Sequence, residues 1–228
     1  MKKCTFPLLR MSVFVGMQLA LLGSLVSCTP ESDEDVSHET VDLGLSVKWA
    51  SCNVGANAPE DYGDYYRWGE IEKFNINSGE YKYFQPKEYE GGAYFGPECW
   101  NDIIPNISGT SYDVAHVKWG GGWRMPTKDE VNELCEMCSW QWTSINGVNG
   151  YKVTGPNGNF IFLPAAGFKL IFEDENIRYR DELCCYWAST LHSGRDQDYQ
   201  NLYFDGARNE PISIFYPKTG FSVRPVKD

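Results

Sequence analysis

Trp100, Asn101 and Asp102 stand side by side in the string Glu98-Cys-Trp-Asn-Asp102, an indole next to two oxygen-bearing side chains. Such a set can stack on a sugar ring and hydrogen-bond its hydroxyls. With further oxygens it could contribute to a calcium site, since hard calcium collects about six to eight of them. A second polar group, Arg195, Asp196 and Asp198, falls in the loop 192–199. Rings beside Asn, Asp and Arg suit contacts with glycan or protein that need no metal. These six residues form the candidate ligand-binding set, with no cofactor and no metal assigned to them. The competing reading is that the rings pack a long loop onto a sheet while the polar groups stay solvated.

Thiols are the other reactive groups. Beyond Cys28 the chain has Cys52, Cys99, Cys135, Cys138, Cys184 and Cys185. In an oxidising compartment six cysteines allow about fifteen pairings, so spacing alone leaves connectivity open. Cys135 and Cys138 sit one helical turn apart and Cys184 and Cys185 are neighbours, a pattern from which a four-thiolate zinc site or a redox pair could be built. The simpler reading makes Cys135 and Cys138 small hydrophobes on a buried helix face and sends Cys184 and Cys185 to opposite faces of a strand. The histidines offer no partner for a nucleophile. His38 lies in a polar tether, His192 in a polar loop, and His116, two residues after Val114, is expected on the same strand face as that valine. No catalytic residue is named and metal-ligand spacing is absent.

A framework has to hold these groups, and its strongest local signal is Gly120-Gly-Gly-Trp-Arg-Met-Pro-Thr127 followed by Lys-Asp-Glu-Val-Asn-Glu-Leu134. Pro126 biases Met125 towards extended geometry, so the chain turns here. Thr127 with Glu130 reads as a capping box, and Val131, Leu134, Cys135 and Cys138 follow the spacing of one buried helical face. Elsewhere period-two alternation dominates. Val41, Leu43, Leu45, Val47 and Trp49 predict a strand with one face buried, and Tyr65 to Gly69 a second short one. Tyr151 to Thr154 and Asn159 to Leu163 enclose Gly155-Pro-Asn-Gly158, which predicts a hairpin. Further strands are expected at 168–172, 184–189, 199–204, 212–216 and 221–226. Residues 71–113 are the least patterned stretch, with aromatics scattered among Gly and Pro, a long excursion of the kind that carries binding function.

At the start of the chain, Lys2, Lys3 and Arg10 precede an apolar run ending in Leu25-Val26-Ser27-Cys28. This looks like a bacterial lipoprotein signal, with residues 1–27 removed and acyl chains placed on Cys28. Several such chains bury enough methylenes, at about 0.8 kcal/mol each, to hold a protein on a membrane. The acidic stretch that follows, within residues 28–40, reads as a solvated tether. It resembles the export signals that take lipoproteins of the Bacteroidota to the outer face of the outer membrane. Taking Lys2, Lys3 and Arg10 from 20 basic residues leaves 17 against 31 acidic, a net charge of −14. Such a domain repels phosphate backbones, which argues against a nucleic-acid partner. The 22 glycines, 12 prolines and 15% aromatics suit short strands and tight turns, and residues 41–228 suit one domain.

Several motifs occur in a recognisable order. Val41-Asp-Leu-Gly-Leu-Ser-Val-Lys-Trp-Ala50, Asn53-Val-Gly-Ala56, Tyr62-Gly-Asp-Tyr65, Trp68-Gly-Glu70 and Trp123-Arg-Met-Pro-Thr127 come first. Asn146-Gly-Val-Asn-Gly-Tyr151, Phe162-Leu-Pro-Ala-Ala-Gly167, Tyr186-Trp-Ala-Ser189 and Gly220-Phe-Ser-Val-Arg-Pro-Val226 follow. Together they resemble the Fibrobacter succinogenes major paralogous domain family. The resemblance implies an α+β, C-type-lectin-like fold: mixed, mostly antiparallel sheets, one or two short helices and long loops. It comes with no established reaction. The implied function is that of a non-enzymatic binding module for glycan or protein, with a structural component of surface appendages as the alternative. More distantly, the Arg-x-Pro-Thr loop and the closing strand are similar to formylglycine-generating enzymes. Those need a reactive cysteine pair late in the domain, and the flanks of Cys184-Cys185 do not match theirs. Trp100-Asn101-Asp102 also resembles a string of calcium-dependent lectins, which in that family lies in a late strand. Asn209-Glu210-Pro211 carries the residues of the Glu-Pro-Asn sugar motif in another order.

Overall fold

A computed structural model describes residues 38–75, 106–170, 177–191, 199–205, 213–215 and 219–228. All of them belong to the compact unit Ser37–Asp228. Residues 1–27 and Cys28, and with them the expected leader and anchor, lie outside the described residues.

The alternation of residues 41–49 does not make one strand. It folds back on itself as β1 (Thr40–Val41) and β2 (Lys48–Ala50), paired antiparallel with Val41 opposite Trp49. The turn is chosen by Asp42, whose carboxylate accepts from the Gly44 amide at 2.7 Å, and by Gly44, whose φ of 76° is open to glycine at little cost. Leu43, Val47 and Trp49 are still buried, so the period-two pattern reported burial correctly and the extended shape wrongly. On its other side β2 takes β11 (Val226–Lys227), with Val226 opposite Trp49.

The stretch expected to place His116 on a strand is instead helix α1 (Val114–Trp119). Asp113 caps it, its side chain accepting from the amides of Ala115 and His116, and this local bond outweighs the β preference of Val114 and Val117. Val114 and Ala115 face inward and His116 is exposed. Helix α2 (Lys128–Met137) begins as read, with the Thr127 and Glu130 capping box formed in both directions. Val131 and Leu134 are buried and Cys135 half-buried, whereas Cys138 has already left the helix as an extended C-cap.

From there the chain is sheet. β3 (Ser139–Ile145), β4 (Val148–Thr154) and β5 (Phe160–Pro164) form an antiparallel meander that includes the expected hairpin around residues 155–158. β6 (Phe168–Lys169) pairs with β7 (Ile177–Arg178). β8 (Leu183–Leu191), β9 (Tyr199–Asp205) and β10 (Ser213–Phe215) make another three-stranded sheet in the order β10-β9-β8. All of these strand pairs are antiparallel, and the described architecture is α+β with small sheets and few helices. Tyr66 meets Phe221 in an isolated bridge, which is what becomes of the short strand read at residues 65–69.

β8 divides the interior. Cys184, Tyr186 and Ala188 enter one core with Trp49, Val131, Leu134 and Tyr151, while Leu183, Cys185 and Trp187 enter a second with Tyr66, Trp68, Val114 and Phe221. Neighbouring cysteines therefore point into different cores, as strand alternation requires. Arg224 ties the end of β2 and the loop after it to β5. Its guanidinium donates to Asn53 Oδ1 at 2.8 Å and to the carbonyls of Ala50, Ser51 and Phe162 at 3.0, 2.6 and 2.8 Å. The side chain is 1% exposed, and burial lowers its pKa from the usual arginine value.

Candidate functional site

The glycine loop and the start of α2 are held by side-chain and backbone groups from elsewhere in the chain. Met125 N–H donates to Asp113 Oδ2 at 2.8 Å, and the Met125 carbonyl accepts from Ser108 Oγ at 2.9 Å. The Pro126 carbonyl accepts from Ser189 N–H at 2.8 Å, and Lys128 N–H donates to Thr190 Oγ1 at 3.1 Å. Arg124 exchanges both backbone bonds with Val226. Its guanidinium grips Glu130 through both nitrogens at 2.9 and 2.6 Å and reaches Asp228 at 2.7 Å. Arg124 and Arg224 are thus both structural forks that tie loops to the closing segment of the chain. Burial pushes the Glu130 carboxyl up, but the Arg124 fork and the Thr127 amide outweigh it and hold it below the usual range.

Asp113 is the part of this assembly that the sequence reading missed. Fully buried, it accepts four backbone amides: Ala115 and His116 on Oδ1 at 2.9 and 3.1 Å, Gly109 and Met125 on Oδ2, both at 2.8 Å. Burial raises its pKa, with the four amides pulling the other way. One carboxylate therefore joins the loop at residue 109, the start of α1 and the glycine loop. The available signal was an aspartate followed by Val-Ala, a cap in front of two inward-facing residues.

Trp100, Asn101, Asp102, Arg195, Asp196 and Asp198 all lie outside the described residues, as do Asn209-Glu210-Pro211 and the aromatics of residues 76–105. What the described residues show is where the loops carrying them are rooted. Asn106 and Thr190 form an antiparallel bridge, and Ile107 N–H donates to the Ser189 carbonyl at 3.1 Å. Leu191 pairs with Tyr199, closing the loop that holds Arg195. Asp102 is four residues from Asn106 and Arg195 five from Thr190. Chain length alone keeps them within about 14 and about 18 Å of that bridge. The two halves of the candidate set thus leave the framework from one stitched point, which the glycine loop supports from below. Ser189 Oγ is buried there without a hydrogen-bond partner, a polar capacity the framework does not use.

Among the described residues the thiols do not gather. Cys52, Cys135, Cys138, Cys184 and Cys185 are free, and among the described residues no three His, Cys, Asp or Glu side chains come together to hold a metal ion. Burial, helped by the neighbouring Cys138 and Glu136, pushes the Cys135 thiol up to about 12. Burial and Glu133 push Cys138 up to about 11. Cys184 and Cys185, both fully buried, are raised by desolvation as well. At neutral pH these sulfurs hold their protons and are weak nucleophiles. Comparison of the chain with family models, with curated proteins and with solved structures gives no match.

Proposed function

We propose that this chain is a lipid-anchored, non-enzymatic binding module for glycan or protein ligands, held at the bacterial outer membrane through acyl chains on Cys28. Its contact surface is the pair of loops carrying Trp100, Asn101, Asp102, Arg195, Asp196 and Asp198. The C-type-lectin-like architecture implied by the resemblance to the Fibrobacter succinogenes major paralogous domain family is the finer fold reading that goes with it. The observation that carries the proposal is the Asn106 to Thr190 bridge, which roots both loops on one hydrogen-bonded framework. Binding groups on loops held by a rigid scaffold are the ordinary design of a recognition surface. Raised thiol pKa values and arginines committed to structural bonds support recognition over covalent chemistry.

The test is a glycan array probed with the full protein, purified from membranes in detergent with its acyl chains intact, in the presence and absence of calcium. Binding to a defined glycan class that survives chelation and is lost in Asp102→Ala or Arg195→Ala is the expected result. Binding abolished by chelation would move the site to calcium. An array without a single glycan, together with no captured protein ligand, would sink the proposal.

A further inference from the structure

Strand β3 takes β4 on one side, and among the described residues no strand lies on the other. Which of its backbone groups point outward follows from the turn between the two. Asn146 and Gly147, with φ 50° and 86°, are the left-handed pair of a two-residue type I′ hairpin, so Ile145 and Val148 beside them exchange both backbone bonds. Bonded and non-bonded positions alternate from there. The Asn149 carbonyl, which accepts from Ala165 N–H at 2.8 Å, fixes the same phase: Asn149 turns its backbone towards β5, so Val148 and Gly150 turn theirs towards β3. Ile145 and Thr143 are therefore committed to β4, and the N–H and C=O groups of Trp142 and Ser144 point away from the sheet.

The other outer strands are guarded. β1 is two residues long and β10 three, and the outward carbonyls of Phe162 and Pro164 on β5 accept from Arg224 and the Tyr186 hydroxyl. β3 runs for seven residues without a proline, a charge or a break in register, the usual devices that keep an edge from pairing. Residues 137–151 carry no charged side chain, in a chain with 31 acidic and 20 basic residues. Charges stand at the margins of the strand. Lys152 lies opposite Gln141 with its ammonium over the Phe160 ring at 4.2 Å, Glu60 accepts from Asn146 Nδ2 at the turn, and Glu136 sits near the end of α2. The Trp142 ring rests edge-on against Tyr151 at 4.9 Å, which fastens the strand to the first core.

We infer that β3 is an interface for a second copy of this chain, the two β3 strands pairing antiparallel about a two-fold axis at Thr143. In that register Trp142 faces Ser144 of the second copy and Ser144 faces its Trp142, and each pair exchanges both backbone bonds. Thr143 meets Thr143 at the close, non-bonded position between them, where threonine pairs well. A partner for this edge has to be extended, uncharged and in the same bonding phase. A charged strand would find no counter-charge on β3, whereas a second β3 meets all three conditions and keeps the acidic residues of both copies off the ladder. Such a contact is isologous, so it closes at the dimer. It does not depend on the ligand class.

Sedimentation equilibrium of the full-length protein in density-matched detergent tests this, with a cysteine cross-link as the second readout. A monomer–dimer equilibrium is expected that tightens as salt rises, because screening relieves the repulsion between two acidic bodies. Ser144→Pro deletes an outward N–H while β4 keeps every bond to β3, and Thr143→Lys sets two ammonium groups against each other on the axis. Each should weaken the dimer about tenfold with little change in melting temperature. Thr143→Cys treated with oxidised glutathione should run as a disulfide-linked dimer on a non-reducing gel in excess of the native protein, since the axis brings that position against itself. The inference is overturned if the native chain stays monomeric at every salt concentration, which would leave the edge to a strand of another protein. It is overturned equally if the dimer ignores both substitutions, which would put the contact on another face, or if Thr143→Cys cross-links no more than the native protein. A glycan array without a hit leaves this pairing untouched.

Discussion

Asp113→Asn separates two accounts of the buried carboxylate. If Asp113 served only as the cap of α1, asparagine would replace it almost without cost, since the two are about equally good caps. The four accepted amides require more. Oδ1 serves Ala115 and His116, Oδ2 serves Gly109 and Met125, and asparagine has one carbonyl oxygen, so either orientation of its amide turns an NH2 donor towards two N–H donors. Each buried amide left without an acceptor costs about 1–3 kcal/mol, so a pair costs about 2–6 kcal/mol. Removing a buried charge gives part of this back, because burial holds the Asp113 pKa above its usual value. A net loss of about 3 kcal/mol is expected. Urea unfolding followed by tryptophan fluorescence, with the change in midpoint read at an unchanged slope, measures it. A difference below about 0.5 kcal/mol would refute the clamp and reduce Asp113 to an ordinary cap.

Glu130→Gln should cost about 2 kcal/mol at neutral pH. Because the Glu130 pKa is lowered in the fold, its contribution is present above the unfolded value of about 4.3 and fades as pH falls through the folded value. The stability gap between native and variant, followed by acid titration of unfolding, should therefore shrink below about pH 4. Gly167→Ala puts a Cβ 2.0 Å from the Arg178 carbonyl at φ 63° and should lose about 3 kcal/mol, visible as a drop in melting temperature. Iodoacetamide labelling read by mass spectrometry should modify the half-buried Cys135 and Cys138 slowly in the native protein, Cys138 ahead because its thiol is pushed up less, and the buried Cys184 and Cys185 only after unfolding. Cys28→Ser should move the protein from the membrane fraction to the soluble envelope fraction on cell fractionation; retention in the membrane would remove the anchor from the proposed function.

Features written in near neighbours could be read directly. Thr127 and Glu130 announced the α2 start because both halves of a capping box lie within four residues, and Cys184-Cys185 announced opposite faces because alternation is a property of the strand itself. Residues 41–49 misled because burial and extension share the same period: Asp42 and Gly44 turn the chain while Leu43 and Val47 stay inside. Helix α1 escaped because six residues carry too short a pattern, and its cap draws half of its bonds from Gly109 and Met125. The meeting of Asn106 with Thr190 is a contact across more than eighty residues, and no local spacing encodes it.

The placement of β8 between two cores has a consequence for how the chain finds its alignment. A strand with one wet face is aligned by the cost of burying its polar residues, but here a slip by one position would exchange one oily face for another. The correct setting is picked out by polar tips: the Tyr186 hydroxyl on the Pro164 carbonyl at 2.8 Å, the Trp187 indole N–H on the Tyr66 carbonyl at 2.7 Å, and the Cys184 thiol on the Leu163 carbonyl at 3.4 Å. Large rings supply the cohesion, and single heteroatoms at their ends act as locating pins. A phenylalanine at position 186 would leave the bulk almost unchanged while removing one of these pins, and so loosen the alignment of this central strand.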